Sequence, residues 1–584
     1  MAVKFKDLSP AEQQDHRDRL RHSTAHVLAE AVTTLFPDAQ LTIGPSIEDG
    51  FYYDFAVSEP FTPDDLKKIE LEMRNSIRAN TEFVERETSR DEALELVKDN
   101  QYKVEILEGI PVDERVTFCS HSDGAFEDLC RGGHMESTGD IKAYKLLSTA
   151  GAYWRGDEKN AMLQRIYGTA WESRDAQKAY LKRIEEAEKR DHRKLGRALG
   201  LFFFDPIAPA SPFFLPKGAQ VMNSLIDYVK ELYVKYGYQE VMTPQIFNTD
   251  LWARSGHLEA YSENMYFVDV DEREFGVKPM NCPAHALMYL ADSHSYRELP
   301  MRWADFGRLH RNERSGVTHG LMRVRSFVQD DAHIFCMLDQ IGSEVLSFLD
   351  MVDESFAALG FANYRFELSL RPEKRVGSDE MWDKAEAALT EILHSTGKKY
   401  STEAGEGAFY GPKIDIFVPD AIGRDWQLGT VQLDFSLPER FDLEYASEDG
   451  TRQRPVVVHR AMYGSLERFL GVLIEHLAGA FPLWIAPVQA VVVPIADRHN
   501  DYCHEVGAKL TAAGIRVEVN DSNDRMNSKI RQAQLQKVPY MLVAGDREVE
   551  SATVAVRTRT GENLDPMSAD GIVKKFLKQI TDKS

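Results

Sequence analysis

What this chain lacks narrows its class before any motif is considered. No apolar run approaches the length of about 20 residues that a membrane-spanning helix needs. The opening MAVKFKDLSPAEQQDHRDRL is polar and charged, with neither the apolar core of a secretory signal nor the acid-poor look of a transit segment. A cytoplasmic protein with no membrane attachment is therefore expected. Cysteine is scarce: Cys119, Cys130, Cys282, Cys336 and Cys503, scattered over 584 residues, read as thiols or ligands rather than a disulfide framework. Positive charge is also in short supply, with 70 Lys+Arg against 93 Asp+Glu and a net charge of -23. Such a chain is not expected to bind DNA, or to coat any nucleic acid without sequence preference, because that requires cations against phosphates. Specific RNA recognition through local basic patches stays open. No internal repeat or low-complexity tract is present.

What is there reads as several domains, since the usual size of roughly 100 to 200 residues per domain predicts three or four units. The run RHSTAHVLAEAVTTLF at 21–36 has helical spacing, which sets His22 and His26 one turn apart on one face. Gly44, Pro45, Asp49 and Gly50 mark turns before the strand-like FYYDF, so the first region is mixed α and β. Residues 174–199 are rich in helix formers and charge and contain no proline, predicting one solvated connecting helix. Pro206, Pro209, Pro212 and Pro216 then open a middle region in which helical stretches alternate with strand-like PVVVH and YRFELSL. Beyond Trp484, AVVVPIA, IRVEV, YMLVAG and TVAVRTR alternate with helical segments, the pattern of a small α/β module. The expected architecture is multidomain α/β (α+β), divided at 1–190, 191–484 and 485–584.

Three segments of the middle region carry marked residues in order. KELYVKYGYQEVMTP is a helix and strand ending at Pro244. FGRLHRNERSG, with Arg311 and Glu313, leads to the arginine-rich HGLMRVRSFVQDDAH. In AMYGSLERFLGVLIEH a Gly-Ser-x-Glu-Arg sequence opens an apolar helix bearing Arg468. Singly, each is equally well read as surface residues in ordinary ion pairs. In this order they resemble motifs 1, 2 and 3 of the class II aminoacyl-tRNA synthetases, whose catalytic core is an antiparallel sheet flanked by helices and which pair as homodimers through motif 1. The chemistry of that family needs cations, because joining a carboxylate to the α-phosphate of ATP builds charge on phosphorus, and guanidinium meets it bidentately. The resemblance implies that Arg311 holds the α-phosphate and the amino-acid carboxylate and that Glu313 accepts from the adenine amino group. It also implies that Phe327 stacks on the base, that Arg323 and Arg468 hold the distal phosphates, and that Mg²⁺ accompanies ATP.

Cys282 in KPMNCPAH, His333 in QDDAHIF and His459 in VVVHRAM match the zinc ligands of the threonyl-tRNA synthetases; spacing alone gives a trio so dispersed no metal signal. The likeness implies one Zn²⁺ per subunit with a coordination position left open for the amino group and hydroxyl of L-threonine. Gln329, Asp331, Tyr410, Gln432 and Lys413 match further positions of that pocket, and His257 in ARSGHLEAY matches a candidate base toward the tRNA ribose. A site built on a substrate hydroxyl rejects valine, but the methyl that separates threonine from serine is worth only about 1–3 kcal/mol, so a second, hydrolytic site is expected. His22, His26, Tyr53, Lys103, Asp128, Cys130 and His134 resemble the family's editing domain, which removes serine from tRNA(Thr). The two helical histidines with Cys130 and His134 also have the ligand types of a tetrahedral zinc site. A water positioned by polar side chains is the favoured reading and zinc the alternative. The last 100 residues resemble the anticodon-binding domain of class II synthetases, with Asn523, Glu548 and Arg557 at base-contacting positions. Longer members begin with a ubiquitin-like domain, which the resemblance marks as absent here. Two further readings are a non-catalytic RNA-binding paralogue, disfavoured by the presence of every ATP and zinc position, and a synthetase for another amino acid such as proline.

Overall fold

The computed structural model describes residues 5–157, 159–376, 378–420 and 422–583. The chain forms two compact units, Met1–Glu185 and Glu186–Ser584. None of its described helices is long and apolar enough to cross a membrane.

In the first unit, Ser9 caps the helix Pro10–Leu35 by accepting from the Glu12 N–H, while the Glu12 carboxylate accepts from the Ser9 N–H. The first turns of this helix are polar, and burial begins only at Leu20. From there Val27, Leu28 and Val32 pack with Phe51, Phe55 and Ile166 of an antiparallel sheet. Its strands run in the order Gln40–Leu41, Gly50–Ala56, Met162–Trp171, Ala143–Tyr153, with Ser46–Ile47 paired to the second. Gly50 is required where that strand approaches its neighbour, since a Cβ there would lie 2.2 Å from the Gly168 carbonyl. A smaller sheet, Val84–Thr88, Val116–His121 and Phe126–Leu129, delivers the chain to Cys130.

The segment predicted as one connecting helix is two, Arg174–Arg190 and His192–Ala198. Asp191 leaves the helical region and caps the second helix, its carboxylate accepting from the Arg193 N–H.

The second unit is built on an eight-stranded sheet. Its order is Gln239–Glu240, Met301–Asp305, Asp331–Cys336, Val456–Ala461, Asp425–Asp434, Lys413–Pro419, Arg365–Ser369, Tyr400–Glu403. The pairing is antiparallel, as expected, except at the two edges, where the outermost pairs run parallel. Side chains alternate between the faces. On one face Ile334, Val458, Val431, Ile414 and Leu368 are buried in the core formed with helices Pro216–Tyr236, Ile341–Ala358 and Leu466–Leu477. On the other, Trp303, His333, His459, Gln432, Lys413 and Ser369 stand in register on six successive strands, forming one line across the sheet.

The carboxy-terminal residues form a five-stranded mixed sheet. Val517–Val519, Ala490–Pro494 and Tyr540–Ala544 run parallel, and Val554–Thr558 and Asn563–Met567 add antiparallel. The sheet alternates with helices, as the sequence pattern predicts.

Truncating Ile334 to alanine, on the helix-covered face, is expected to cost roughly 2–5 kcal/mol while changing ligand affinity at the opposite face by no more than about twofold. Urea unfolding and ligand titration of Ile334→Ala would check both halves of that expectation.

Candidate active sites

Cys282 opens the helix Cys282–Tyr289, and its Sγ and ring nitrogens of His333 and His459 all lie within 4.8 Å of one another. The two histidines face each other from neighbouring strands. Each ring is held from behind. His459 Nε2 lies 2.9 Å from Asp434 Oδ2, and His333 Nδ1 lies 2.8 Å from His285 Nδ1, whose Nε2 is 3.8 Å from Asp305. Partners of this kind fix the tautomer and orientation of ligating imidazoles. Burial, followed by the charges of Asp331 and Asp434, pushes the Cys282 thiol well above its usual range, and burial holds His333 neutral. A thiol and two imidazoles form a donor set that suits zinc, which ionises a thiol on binding.

Around this trio Asp331 accepts from Asn281 Nδ2 at 3.0 Å, the Tyr410 hydroxyl donates to Gln432 Oε1 at 2.5 Å, and Lys413 pairs with Asp415 at 2.5 Å. His257 lines the same small cavity as Cys282, Tyr410 and His459, with Nδ1 2.8 Å from Ser255 Oγ. Burial pushes its pKa down to about 4, leaving a neutral ring at pH 7.

Arg311, Glu313, Arg323, Phe327, Gln329 and Arg468 line a separate cleft of about 370 Å³. Gln329 lines this cleft, and its backbone bridges to Ser465. The Arg311 guanidinium lies 5.0 Å from the centre of the Phe327 ring and covers one face of it. Glu313 pairs with Arg323 at 2.8 Å. Arg468 Nε donates to the Met322 carbonyl at 2.8 Å, and its pKa is drawn down by burial and by the nearby Arg323 and Arg311. Three guanidinium groups against one carboxylate leave a net positive cleft in an acidic chain, a setting that attracts a polyanion.

In the first unit His22 Nε2 lies 3.0 Å and His134 Nε2 3.1 Å from Cys130 Sγ, and the His26 ring packs edge-on to His134 at 4.5 Å. Donor atoms of all four residues fall within 4.8 Å of one another. Beside them Asp128 accepts from the Tyr53 hydroxyl at 2.5 Å and pairs with Lys103 at 2.7 Å, all three being buried. Burial, with smaller contributions from neighbouring histidines, lowers His134 to about 3 and holds His26 well below the usual histidine range. Burial also pushes the Cys130 thiol up to about 12. The cluster is therefore uncharged at neutral pH.

Glu548 is engaged locally, accepting from the Gly545 N–H at 2.9 Å at the start of a short helix. Arg557 lies on the strand Val554–Thr558 with its Nε buried and without a hydrogen-bond partner, and Asn523 is exposed in a loop. Among the described residues no hydrogen bond connects these three. Sequence reasoning missed Asn281, His285, Asp434, Asp330 and Arg460. His285 had a local signal, one helical turn after Cys282, whereas the others act only through the fold. Asp330 is fully buried, accepts from the Met462 and Tyr463 N–H groups, and has its carbonyl bound by Arg460 at 2.8 Å.

Three segments of the chain match known protein families. Residues 266–477 match the tRNA synthetase class II core domain (G, H, P, S and T), residues 489–579 an anticodon binding domain, and residues 116–167 the threonyl and alanyl tRNA synthetase second additional domain. The threonine–tRNA ligase of Acetivibrio thermocellus is 52% identical over 97% of this chain and 89% of its own length, and that of Desulforamulus reducens 51% identical over 97% and 89%. The chain belongs to the threonine–tRNA ligase family. A solved RNA binding domain of threonyl-tRNA synthetase from Cryptosporidium parvum is 45% identical, with a TM-score of 0.65 over 66% of this chain and 98% of that one. Prolyl-tRNA synthetase from Giardia lamblia, at 18% identity and a TM-score of 0.54 over 69% and 81%, shares the fold alone.

Within this threonine–tRNA ligase family member, the class II core match contains the Cys/His trio and the three cleft arginines but begins after His257. The second additional domain contains Cys130 and His134, whereas His22 and His26 come from the first helix, outside the matched segment. The four-residue cluster therefore depends on that helix being seated.

The lowered histidine pKa values set the acid stability of the first unit. Below about pH 6.5 an unfolded chain takes up protons that His22, His26 and His134 do not bind when folded, so stability falls as pH drops from about 6.5 toward about 3. Urea midpoints of metal-free protein, read by protease cleavage within 1–185, should decrease between pH 7 and pH 5. In His134→Phe the decrease should be shallower.

Proposed function

We propose that the chain activates L-threonine with ATP, transfers it to tRNA(Thr), and hydrolyses seryl-tRNA(Thr) in its amino-terminal unit. The observation that carries this reading is the line of His333, His459, Gln432 and Lys413 across one sheet face, completed by Cys282. Arg311, Arg323 and Arg468 bind and orient ATP, and their charge offsets the charge that grows on the α-phosphorus as the threonine carboxylate attacks. Mg²⁺ bound with ATP would supply charge that neutralises the pyrophosphate. Cys282, His333 and His459 would hold zinc, which when bound supplies an electrophilic position for the amino group and hydroxyl of threonine. Asp331, anchored by Asn281, accepts from the N–H of the substrate amino group, and the Tyr410–Gln432 pair closes the pocket over its methyl. Valine leaves the polar partners unsatisfied and is refused. His257, whose ring burial keeps unprotonated at pH 7, takes the proton from the tRNA ribose hydroxyl.

Serine passes this first selection and is removed in the first unit. There His22, His26, Cys130 and His134 orient a water against the ester carbonyl, and the Lys103–Asp128–Tyr53 network binds the seryl group and terminal ribose. Zinc held by the same four donors is the alternative, since their types and mutual distances suit it. We assign residues 1–190 to editing, 191–484 to aminoacylation and 485–584 to anticodon binding, with Asn523, Glu548 and Arg557 reading bases. Val234 and Met242, each more than four-fifths exposed in the motif 1 segment, support homodimerisation through that face.

Amino-acid-dependent ATP–pyrophosphate exchange should be strong with threonine, weaker with serine and near background with valine. Cys282→Ser should lose zinc by metal analysis and lower threonine exchange by more than about a hundredfold, the range of a lost ligand contact. Exchange with proline in place of threonine would replace this reading. His134→Ala should leave threonine charging intact while seryl-tRNA(Thr) accumulates. Two equivalents of zinc in the parent, with one surviving in Cys282→Ser and one in Cys130→Ser, would favour the metal reading of the first unit. Sedimentation should give about twice the 66.3 kDa chain mass, and Val234→Glu with Met242→Glu should give the monomer.

A further inference from the structure

His192 lies outside every matched segment and belongs to none of the sites above, yet it is completely buried and both of its ring nitrogens are engaged. Nδ1 lies 2.7 Å from Glu475 Oε1, and the same carboxylate oxygen accepts from the His192 backbone N–H at 3.1 Å. On the far side of the ring, Nε2 accepts from the Leu321 backbone N–H at 3.0 Å. A backbone N–H only donates, so Nε2 carries the lone pair and Nδ1 the proton given to Glu475. With Asp191 the two side chains have the composition of a metal cluster, but neither ring nitrogen is free for a cation.

The contact closes a ring of interactions around the cationic cleft. Glu475 and Arg468 belong to one helix, Leu466–Leu477. Glu475 holds His192, His192 holds the Leu321 N–H, and the next carbonyl, Met322 O, is held by Arg468 Nε at 2.8 Å. The turn between these points has no slack. Gly320 has φ of 50°, and a Cβ there would lie 2.2 Å from His192 Nε2. Arg323, directly after the clamped pair, reaches Glu313 across the cleft.

We propose that His192 is a positioning residue for ATP: its ring fixes the 320–322 turn so that Arg323 and Arg468 present their guanidinium groups to the nucleotide phosphates in one geometry. This rests on the assignment of the arginine cleft to ATP. None of these residues lines the Cys282–His459 cavity assigned to threonine, so the effect falls on one substrate. Two variants disturb the clamp in different ways. His192→Phe fills the same space without nitrogens, and Gly320→Ala wedges the turn off the ring while leaving the His192–Glu475 bond in place.

In ATP–pyrophosphate exchange both variants should raise the KM for ATP about tenfold, as expected for a buried N–H deprived of its acceptor, with the KM for threonine within about twofold of the parent. An unchanged KM for ATP in both variants overturns the proposal. A parallel rise for both substrates also overturns it, because that would mark a general structural prop. Arg468→Ala separates the underlying assignment: if it leaves the KM for ATP unaltered, the cleft is not the ATP site and the proposal falls with it. If only Arg468→Ala responds, the cleft assignment stands and the clamp alone is refuted.

Discussion

The second unit depends on one alignment, the antiparallel pairing that sets His333 opposite His459. In a sheet with two unlike faces a shift by a single residue would exchange them, burying the imidazoles among helices and turning Ile334 and Val458 outward. The helix-covered core therefore enforces the register, and the register brings a functional line together from strands far apart in sequence. Asp330 and Arg460 secure the same alignment from within. Arg460, next to His459, binds the carbonyl of Asp330, three residues before His333, and the Asp330 carboxylate takes the two N–H groups where the His459 strand ends. Burial raises the Asp330 pKa to about 7, so the desolvation it opposes is considerable. Those three hydrogen bonds offset that cost and tie the two strands at a fixed offset.

Charge is distributed by the same logic of burial. The chain as a whole is strongly anionic, yet the cleft lined by Arg311, Arg323 and Arg468 is locally cationic, and the Cys/His cluster of the first unit is neutral. Global charge governs solubility and discourages indiscriminate contact with nucleic acid, while local charge governs what enters a particular cleft. The clusters of the two units differ in their surroundings. Asp434 and Asp331 stand next to Cys282, His333 and His459, supplying negative charge beside a prospective cation. In the first unit the Asp128 charge is already matched by Lys103. That contrast is the physical basis for assigning metal to one cluster and a positioned water to the other.

Short linear words made part of this legible. Arg311, Arg323 and Arg468 sit in segments whose order along the chain carried the resemblance, and FYYDF, PVVVH and YRFELSL read as strands because their composition suits a pleated, half-buried surface. The parallel pairing at the two sheet edges left no mark, because direction of pairing is a property of the connection rather than of the strand. The break at Asp191 was hidden by helix formers on both sides, although Asp followed by a fresh helical turn is an ordinary cap. His192, Asp330, Asp434 and Arg460 were illegible for a deeper reason: their partners lie far along the chain, so no window of sequence contains the interaction.

The spacing of the two clusters along the chain has a consequence for how the molecule is made. Ribosomal synthesis delivers residues from the amino terminus, and early domains fold while later ones are still being added. The four donors of the first unit are complete once His134 and the sheet that closes at Trp171 have emerged. The trio of the second unit is unfinished until His459 appears, after most of the polypeptide exists. A nascent chain therefore acquires the pocket assigned to discarding a wrong product before the one assigned to making any product. A translation interrupted between the two leaves a chain that holds every donor of the first pocket and lacks part of the second.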